Sequence, residues 1–195
     1  MKDGKGRELL HVALILLATC LFAAAALGTV NQLTADRIAA VDKERTDEAL
    51  GRVFQEVAHP QVSNLPVSQR MAQAAEQSGA RIQRAYQVRS GDESVGTAVK
   101  LETSGSQGLL DIVVGVYPDG TVSGVCVVRS QETPRIGSRI VDNENGVLDQ
   151  FVGKKWEKDA FVVGRDVDAI TGATVTFKGV TAGVNGALAA VDAME

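Results

Sequence analysis

The sequence predicts an α+β fold: an antiparallel sheet packed by helices and preceded by one N-terminal transmembrane helix. Three observations carry that reading. Residues 9–28 form an almost unbroken apolar run. Two β-rich runs, 109–117 and 121–129, flank Pro118-Asp119-Gly120, which suits a hairpin turn. Near the end, Val180, Val184, Leu188 and Val191 recur at helical spacing. The 195 residues are 45% hydrophobic, enough for one core besides the apolar run. Only 4% are aromatic and 20 are glycine, so Ala, Val and Leu supply most of the packing. A net charge of −4 argues against a nucleic-acid partner, whose binding would rest on basic clusters. Two cysteines make neither a zinc site nor a disulfide framework. Two histidines, His11 and His59, leave little for metal ligation or acid–base catalysis. No catalytic residue and no metal ligand is expected, and a borrowed cofactor is the better source of chemistry.

The elements follow in order. No charge occurs between Leu9 and Ala35, and about twenty helical residues rise roughly 30 Å, the thickness of a bilayer core. Lys2, Lys5 and Arg7 precede the run, which places residues 1–8 in the cytoplasm and the remainder outside. A cleaved signal peptide ending at Ala24-Ala25-Ala26 is the main rival, but its apolar stretch would exceed the usual 7–15 residues. A lipoprotein signal ending at Cys20 fits less well, because Thr19 precedes the cysteine and a further apolar run follows it. An uncleaved span over 9–28 is favoured, in contact with membrane lipid. Residues 36–195 carry 17 Lys and Arg against 22 Asp and Glu, the balance of an ordinary, mildly acidic domain. Cys126 reads as a small buried hydrophobe.

A juxtamembrane helix is expected within 29–60, with Leu50, Val53, Phe54 and Val57 on one apolar stripe and a solvated face at Asp42, Lys43, Glu44 and Arg45. Pro60 and Pro66 bracket a loop, and a short helix is expected over 68–77. Ile82, Tyr86 and Val88 share a strand parity, as do Val95, Thr97, Val99 and Leu101. After the hairpin, 160–163 reads as another short strand and 178–194 as the last helix. Tyr86, Tyr117 and Trp156 are read as packing residues, with Trp156 the alternative stacking partner for a cofactor.

The most informative stretch is 166–178, DVDAITGATVTFK. A strand runs into the small-residue turn Thr171-Gly172-Ala173-Thr174 and then into a helix. Such a turn suits a phosphate, since glycine admits close backbone approach and a helix N-terminus offers unpaired N–H groups. Thr171, Thr174 and Thr176 add hydroxyls. The competing reading is local: threonine near a helix start is commonly a cap, and glycine commonly serves the turn.

Asp168-Ala169-Ile170-Thr171-Gly172-Ala173-Thr174 resembles Asp-x-x-Ser/Thr-Gly-Ala-Thr, the flavinylation motif of the FMN-binding domain family, and Thr176 and Gly179-Val180 continue the likeness. The resemblance implies FMN joined through its phosphate to the Thr174 hydroxyl, with Thr171, Gly172, Ala173 and Thr176 around the cofactor. Residues 61–195 would then be the FMN-binding domain. Glu132-Thr133-Pro134-Arg135-Ile136-Gly137 resembles the Glu-Thr-Pro-Gly-Leu-Gly loop of the G subunits of Rnf (Rsx) ion-translocating electron transport complexes. That likeness implies Glu132 and Thr133 as flavin-loop contacts; a turn capped by side-chain oxygens is the alternative. Arg135-Ile136 replaces the usual Gly-Leu, and Ser130 stands where histidine is common. Arg135 would either favour a reduced, anionic flavin by Coulomb attraction or face solvent. The related C subunits of sodium-pumping NADH:quinone reductases share the flavin motif but are longer.

The implied function is a membrane-anchored electron carrier within a complex that couples electron transfer to ion translocation, and not an enzyme by itself. The implied partners are the other subunits of an Rnf-type complex and an FAD:protein FMN transferase for maturation. The implied location is a bacterial inner membrane, with the flavin domain periplasmic or otherwise extracytoplasmic. Asp168 either is read by the transferase or orders the turn. Alternatives are a stand-alone flavinylated carrier and a non-redox tethered assembly module.

Overall fold

A computed structural model describes residues 3–57, 60–132, 137–155 and 159–194. Two compact units divide the chain, Met1–Glu44 and Arg45–Glu195. The first is made by helix α1, which continues to Val53 and so spans Asp3–Val53. Its apolar stretch has a mean hydropathy of 2.4 with none of that window buried. Leu14, Leu17, Leu21 and Phe22 are all exposed, as lipid-facing side chains would be. Thr19, Thr29 and Thr34 return their hydroxyls to the carbonyls of Leu16, Ala25 and Val30, so polar groups inside the run are satisfied within the helix.

The second unit is a five-stranded antiparallel meander in the order β1-β2-β3-β4-β5. Its elements are β1 (Gln61–Leu65), helix α2 (Gln69–Gln77), β2 (Ala80–Ser90), β3 (Glu93–Ser104), β4 (Leu109–Val116) and β5 (Val122–Ser130). A short helix α3 (Ser138–Val141), two 3-10 turns (Glu144–Gly146 and Asp149–Phe151) and helix α4 (Thr174–Asp192) follow. α2 starts at a capping serine: the Ser68 hydroxyl accepts the Met71 N–H at 3.2 Å. The β4–β5 turn is set by Asp119, whose carboxylate takes the Thr121 N–H and hydroxyl at 3.0 and 2.9 Å.

Both faces of the sheet are covered. On one, Val99, Leu101, Leu110, Ile112 and Val114 meet Phe177, Val180, Val184 and Leu188 of α4, with Met71 and Ala75 of α2. On the other, Tyr86, Val88, Ala98 and Val113 meet Ala49, Leu50, Val53 and Phe54. Gly124 admits that second layer: a Cβ there would lie 2.7 Å from the Val53 Cα.

Four expectations need correction. The segment between Pro60 and Pro66 contains β1, an edge strand paired with β2 in the register Gln61↔Arg89 to Leu65↔Ala85. Residues 160–163 are not a strand; only an isolated bridge joins Val163 to Val167. The strand parities break at irregularities between Ile82 and Arg84 and between Val88 and Arg89. Ile82 therefore packs on the α4 side while Tyr86 and Val88 lie on the other, and Val95 separates from Val99 and Leu101 in the same way. The last helix begins at Thr174, four residues earlier than the apolar periodicity indicates.

Candidate functional site

The site is built where α4 begins. Three glycines of α4 lie against the sheet and set its course. A Cβ on Gly179 would meet the Ser104 carbonyl at 2.1 Å, on Gly183 the Ile112 Cδ1 at 2.2 Å, and on Gly186 the Ala80 Cβ at 2.9 Å and Leu101 Cδ2 at 3.4 Å. The Thr103 hydroxyl donates to the Gly179 carbonyl at 3.0 Å. The helix thus runs back along β3 from Ser104 towards Leu101, and its first turn projects past the strand end. The β3–β4 loop lies at that same end, and β5 leaves the sheet there at Ser130.

The turn carrying the threonines is ordered by its main chain. Gly172 sits at φ +86°, where glycine carries no side-chain penalty. The Ala173 N–H closes the turn on the Ile170 carbonyl at 3.0 Å. Ala173 is the N-cap of α4 and is 3% exposed, and no side chain caps the helix. Thr174 is the first helical residue and is exposed, so its hydroxyl is not spent as the N-cap of α4. A helix start with no side-chain cap among the described residues, and with its positive dipole, thus meets an exposed hydroxyl at its first position. Both features suit an anionic group such as a phosphate.

The structure divides the remaining sequence-predicted residues. Thr171, Gly172 and Asp168 are exposed with Thr174, whereas Thr176 is 1% exposed and lies in the core. The Glu132 carboxylate accepts the N–H groups of Ser106 and Gln107 at 2.6 and 3.2 Å, joining the exit of β5 to the β3–β4 loop. It fills the space beside two glycines: a Cβ on Gly105 would meet its Oε1 at 2.2 Å, and one on Gly137 its Oε2 at 2.4 Å. Ser130 accepts the Glu132 N–H at 3.0 Å. Thr133, Pro134, Arg135, Ile136 and Trp156 lie outside the described residues.

Two residues without a motif shape the approach to the turn. The amide of Gln150 pairs with the main chain of Asp168, and that of Asn185 pairs with the main chain of Phe161 at 2.9 and 3.0 Å. Asn185 carries a sequence signal, being a polar residue at a core-facing position of an apolar helix, where it requires partners. Gln150 carries none. Between these clamps, Asp166 accepts from Arg165 at 2.9 Å and from the Val162 N–H at 2.8 Å. The Arg165 and Val162 bonds hold its carboxyl below the ordinary carboxylate range. A separate groove of about 700 Å³ follows β5 and includes Tyr117, Ser123 and Cys126; no motif residue lines it. There, burial and Glu56 raise the Tyr117 hydroxyl, and burial raises the Cys126 thiol. Among the described residues, no group of three or more His, Cys, Asp or Glu could hold a metal ion.

Residues 105–189 match the FMN-binding domain family, a span from the β3–β4 loop through most of α4. With the apolar helix of the first unit, this defines an FMN-binding domain on an N-terminal membrane-type helix. The chain is 31% identical over 183 residues to the G subunit of the Na(+)-translocating ferredoxin:NAD(+) oxidoreductase complex of Acetobacterium woodii, covering 89% of this chain and 87% of that one. It is 29% identical over 186 residues to the G subunit of the ion-translocating oxidoreductase complex of Vibrio atlanticus, covering 88% and 86%. The crystal structure of Shewanella oneidensis NqrC aligns with a TM-score of 0.46 at 23% identity, covering 72% of this chain and 85% of that one. The chain belongs to the family formed by the G subunits of ion-translocating oxidoreductase complexes.

Proposed function

We propose that this protein is a membrane-anchored flavoprotein subunit that carries electrons within an ion-translocating oxidoreductase complex, with FMN esterified through its phosphate to Thr174. The observation that carries the site assignment is the exposed Thr174 at the uncapped start of α4, beside Gly172 at φ +86°. An FAD:protein FMN transferase would supply the group. The Thr174 Oγ forms the new bond to the FMN phosphorus, the pyrophosphate bond of FAD breaks, AMP leaves, and the hydroxyl proton passes to a base of the transferase. Thereafter the bound isoalloxazine supplies reversible electron transfer, and this chain supplies the tether and the electrostatic setting.

The chain's own residues have definable parts in that setting. The first N–H groups of α4 and its dipole favour the negatively charged phosphate. Thr171 and Gly172 form the exposed rim of the turn, and Ala173, being buried, anchors it. Glu132 holds the neighbouring loop in place, and the family resemblance supports Glu132 and Thr133, the next residue in sequence, as flavin-loop contacts. Asp168 presents an exposed carboxylate to the transferase. The apolar helix is a single span carrying no acidic residue between Leu9 and Ala35, so ion conduction falls to other subunits of the complex. The basic residues ahead of the span support a cytoplasmic start, with the flavin domain on the far side of a bacterial inner membrane.

The test is flavin fluorescence of the denatured chain in a gel after co-expression with the transferase, with Thr174→Ala alongside. Fluorescence that survives denaturation in wild type and disappears in the variant is the expected outcome. Folded wild-type chain that stays dark beside an active transferase would refute the assignment.

A further inference from the structure

We infer that Gln150 is a positioning residue for the attachment turn, acting through the main chain of Asp168; this rests on the reading of Thr174 as the flavin acceptor. Residues 168–172 belong to no helix or strand, so their main-chain groups must find partners elsewhere. The Gln150 amide supplies, on one residue, both bonds that a neighbouring strand would make. The Asp168 N–H donates to Gln150 Oε1 at 2.8 Å, and Gln150 Nε2 donates to the Asp168 carbonyl at 3.0 Å. Nε2 also donates to the Val147 carbonyl at 3.1 Å, which fixes the orientation of the amide.

The adjacent residue holds the other arm of the turn. Phe151 is fully buried and stacks on Phe177 with ring centroids 5.8 Å apart and an interplanar angle of 26°. Asp168 lies on the chain entering the turn and Phe177 in the first turn of the helix leaving it. Two consecutive residues of one 3-10 turn thus fasten both arms of the loop that presents Thr174. Phe151 acts through apolar packing and belongs to the core. Gln150 is half-buried and acts through two directed bonds, so it sets the entry arm without carrying the core.

Replacing Gln150 by methionine keeps length and bulk and removes both bonds to Asp168 together with the one to the Val147 carbonyl. At typical net hydrogen-bond strengths, the local opening of the entry arm then becomes roughly tenfold or more favourable. The experiment compares full-length wild type, Gln150→Met and Gln150→Glu in detergent, by hydrogen exchange and by initial rates of FMN transfer from FAD at varied acceptor concentration. In Gln150→Met, peptides covering 168–174 should exchange about tenfold faster while those from β3 and β4 are unchanged. KM for transfer should rise, with kcat held, by the factor by which the closed fraction of the turn falls, a smaller change than that in exchange. Gln150→Glu keeps the acceptor for the Asp168 N–H but loses the donor, and should fall between. Unchanged exchange at 168–174 would overturn the inference, as would acceleration spreading to β3 and β4, since Gln150 would then serve the whole fold. A wild-type chain that accepts no FMN would overturn the attachment reading instead, and the exchange arm would still decide whether Gln150 fastens the turn.

Discussion

Asp166 stands at the surface two residues ahead of the attachment motif, and its carboxylate closes the Val162–Asp166 bend. Bonds from Arg165 and the Val162 N–H lower its pKa in the folded state. A lowered folded value means that the bend gains stability above the ordinary carboxylate pKa and loses it as pH falls through the folded one. Asp166 is half-buried and its Arg165 partner exposed, so the pair is screened and the effect is local. The Val162 amide resonance should therefore titrate with a midpoint below about 3.9, and Asp166→Asn should abolish that titration. A midpoint above the ordinary value would contradict the pairing. At this same scale the legibility of the site divides sharply. Thr171, Gly172 and Thr174 are adjacent in the chain, so their turn is spelled out locally. Gln150 reaches Asp168 across 18 residues, and no local pattern encodes such a pairing.

Among the elements, α4 combines two features on one helix, a face that lies flat on the sheet and a start that no side chain caps. Its glycines permit the first. At Gly179 the obstacle is the Ser104 carbonyl, part of a paired strand that cannot yield, whereas at Gly183 it is the mobile end of Ile112. Alanine gains about 1 kcal/mol of helix propensity at either site. Overpacking against backbone costs about 1–3 kcal/mol and outweighs that gain at Gly179. Gly179→Ala should thus lower the denaturation midpoint, and Gly183→Ala should change it much less; equal effects would argue against this seating of the helix. The buried stripe of α4 is legible in the sequence because it follows one period, and the β4–β5 hairpin because Pro118-Asp119-Gly120 marks its turn, although its pairing slips twice, between Asp111 and Ile112 and between Gly115 and Val116. The irregularities beside Ile82 and Val88 are not, because cross-strand pairing and not the run of side chains decides where a strand slips by one residue. β1 leaves no apolar pattern because it is short, polar and largely exposed, as an edge strand is.

For the whole molecule, the second unit begins at Arg45, so the end of α1 belongs to the domain core. Leu50, Val53 and Phe54 are each at most 4% exposed. Burial of each such side chain contributes roughly 1.5–3 kcal/mol, so their sum is comparable with the 5–15 kcal/mol that holds a typical domain. A chain starting at Arg45 should be soluble and monodisperse without detergent, retaining its near-ultraviolet circular dichroism. One starting at Gln55 should lose that signal and aggregate through the bared Tyr86, Val88, Ala98 and Val113 face. Intact behaviour of the shorter chain would show that the second layer is dispensable.

The order of the meander has a consequence in time. Each strand pairs with the one made just before it, so the sheet needs nothing downstream in order to form. The α4 face of that sheet, however, stays open until α4, which follows all five strands, arrives to close it. Thr174 opens that helix. The hydroxyl stands at a helix start only once α4 has been made, so on the proposed attachment a polypeptide lacking α4 would offer nothing to modify. On the proposed attachment, covalent loading would double as a certificate of closure: a chain bearing the cofactor would be one whose α4 has already covered the sheet.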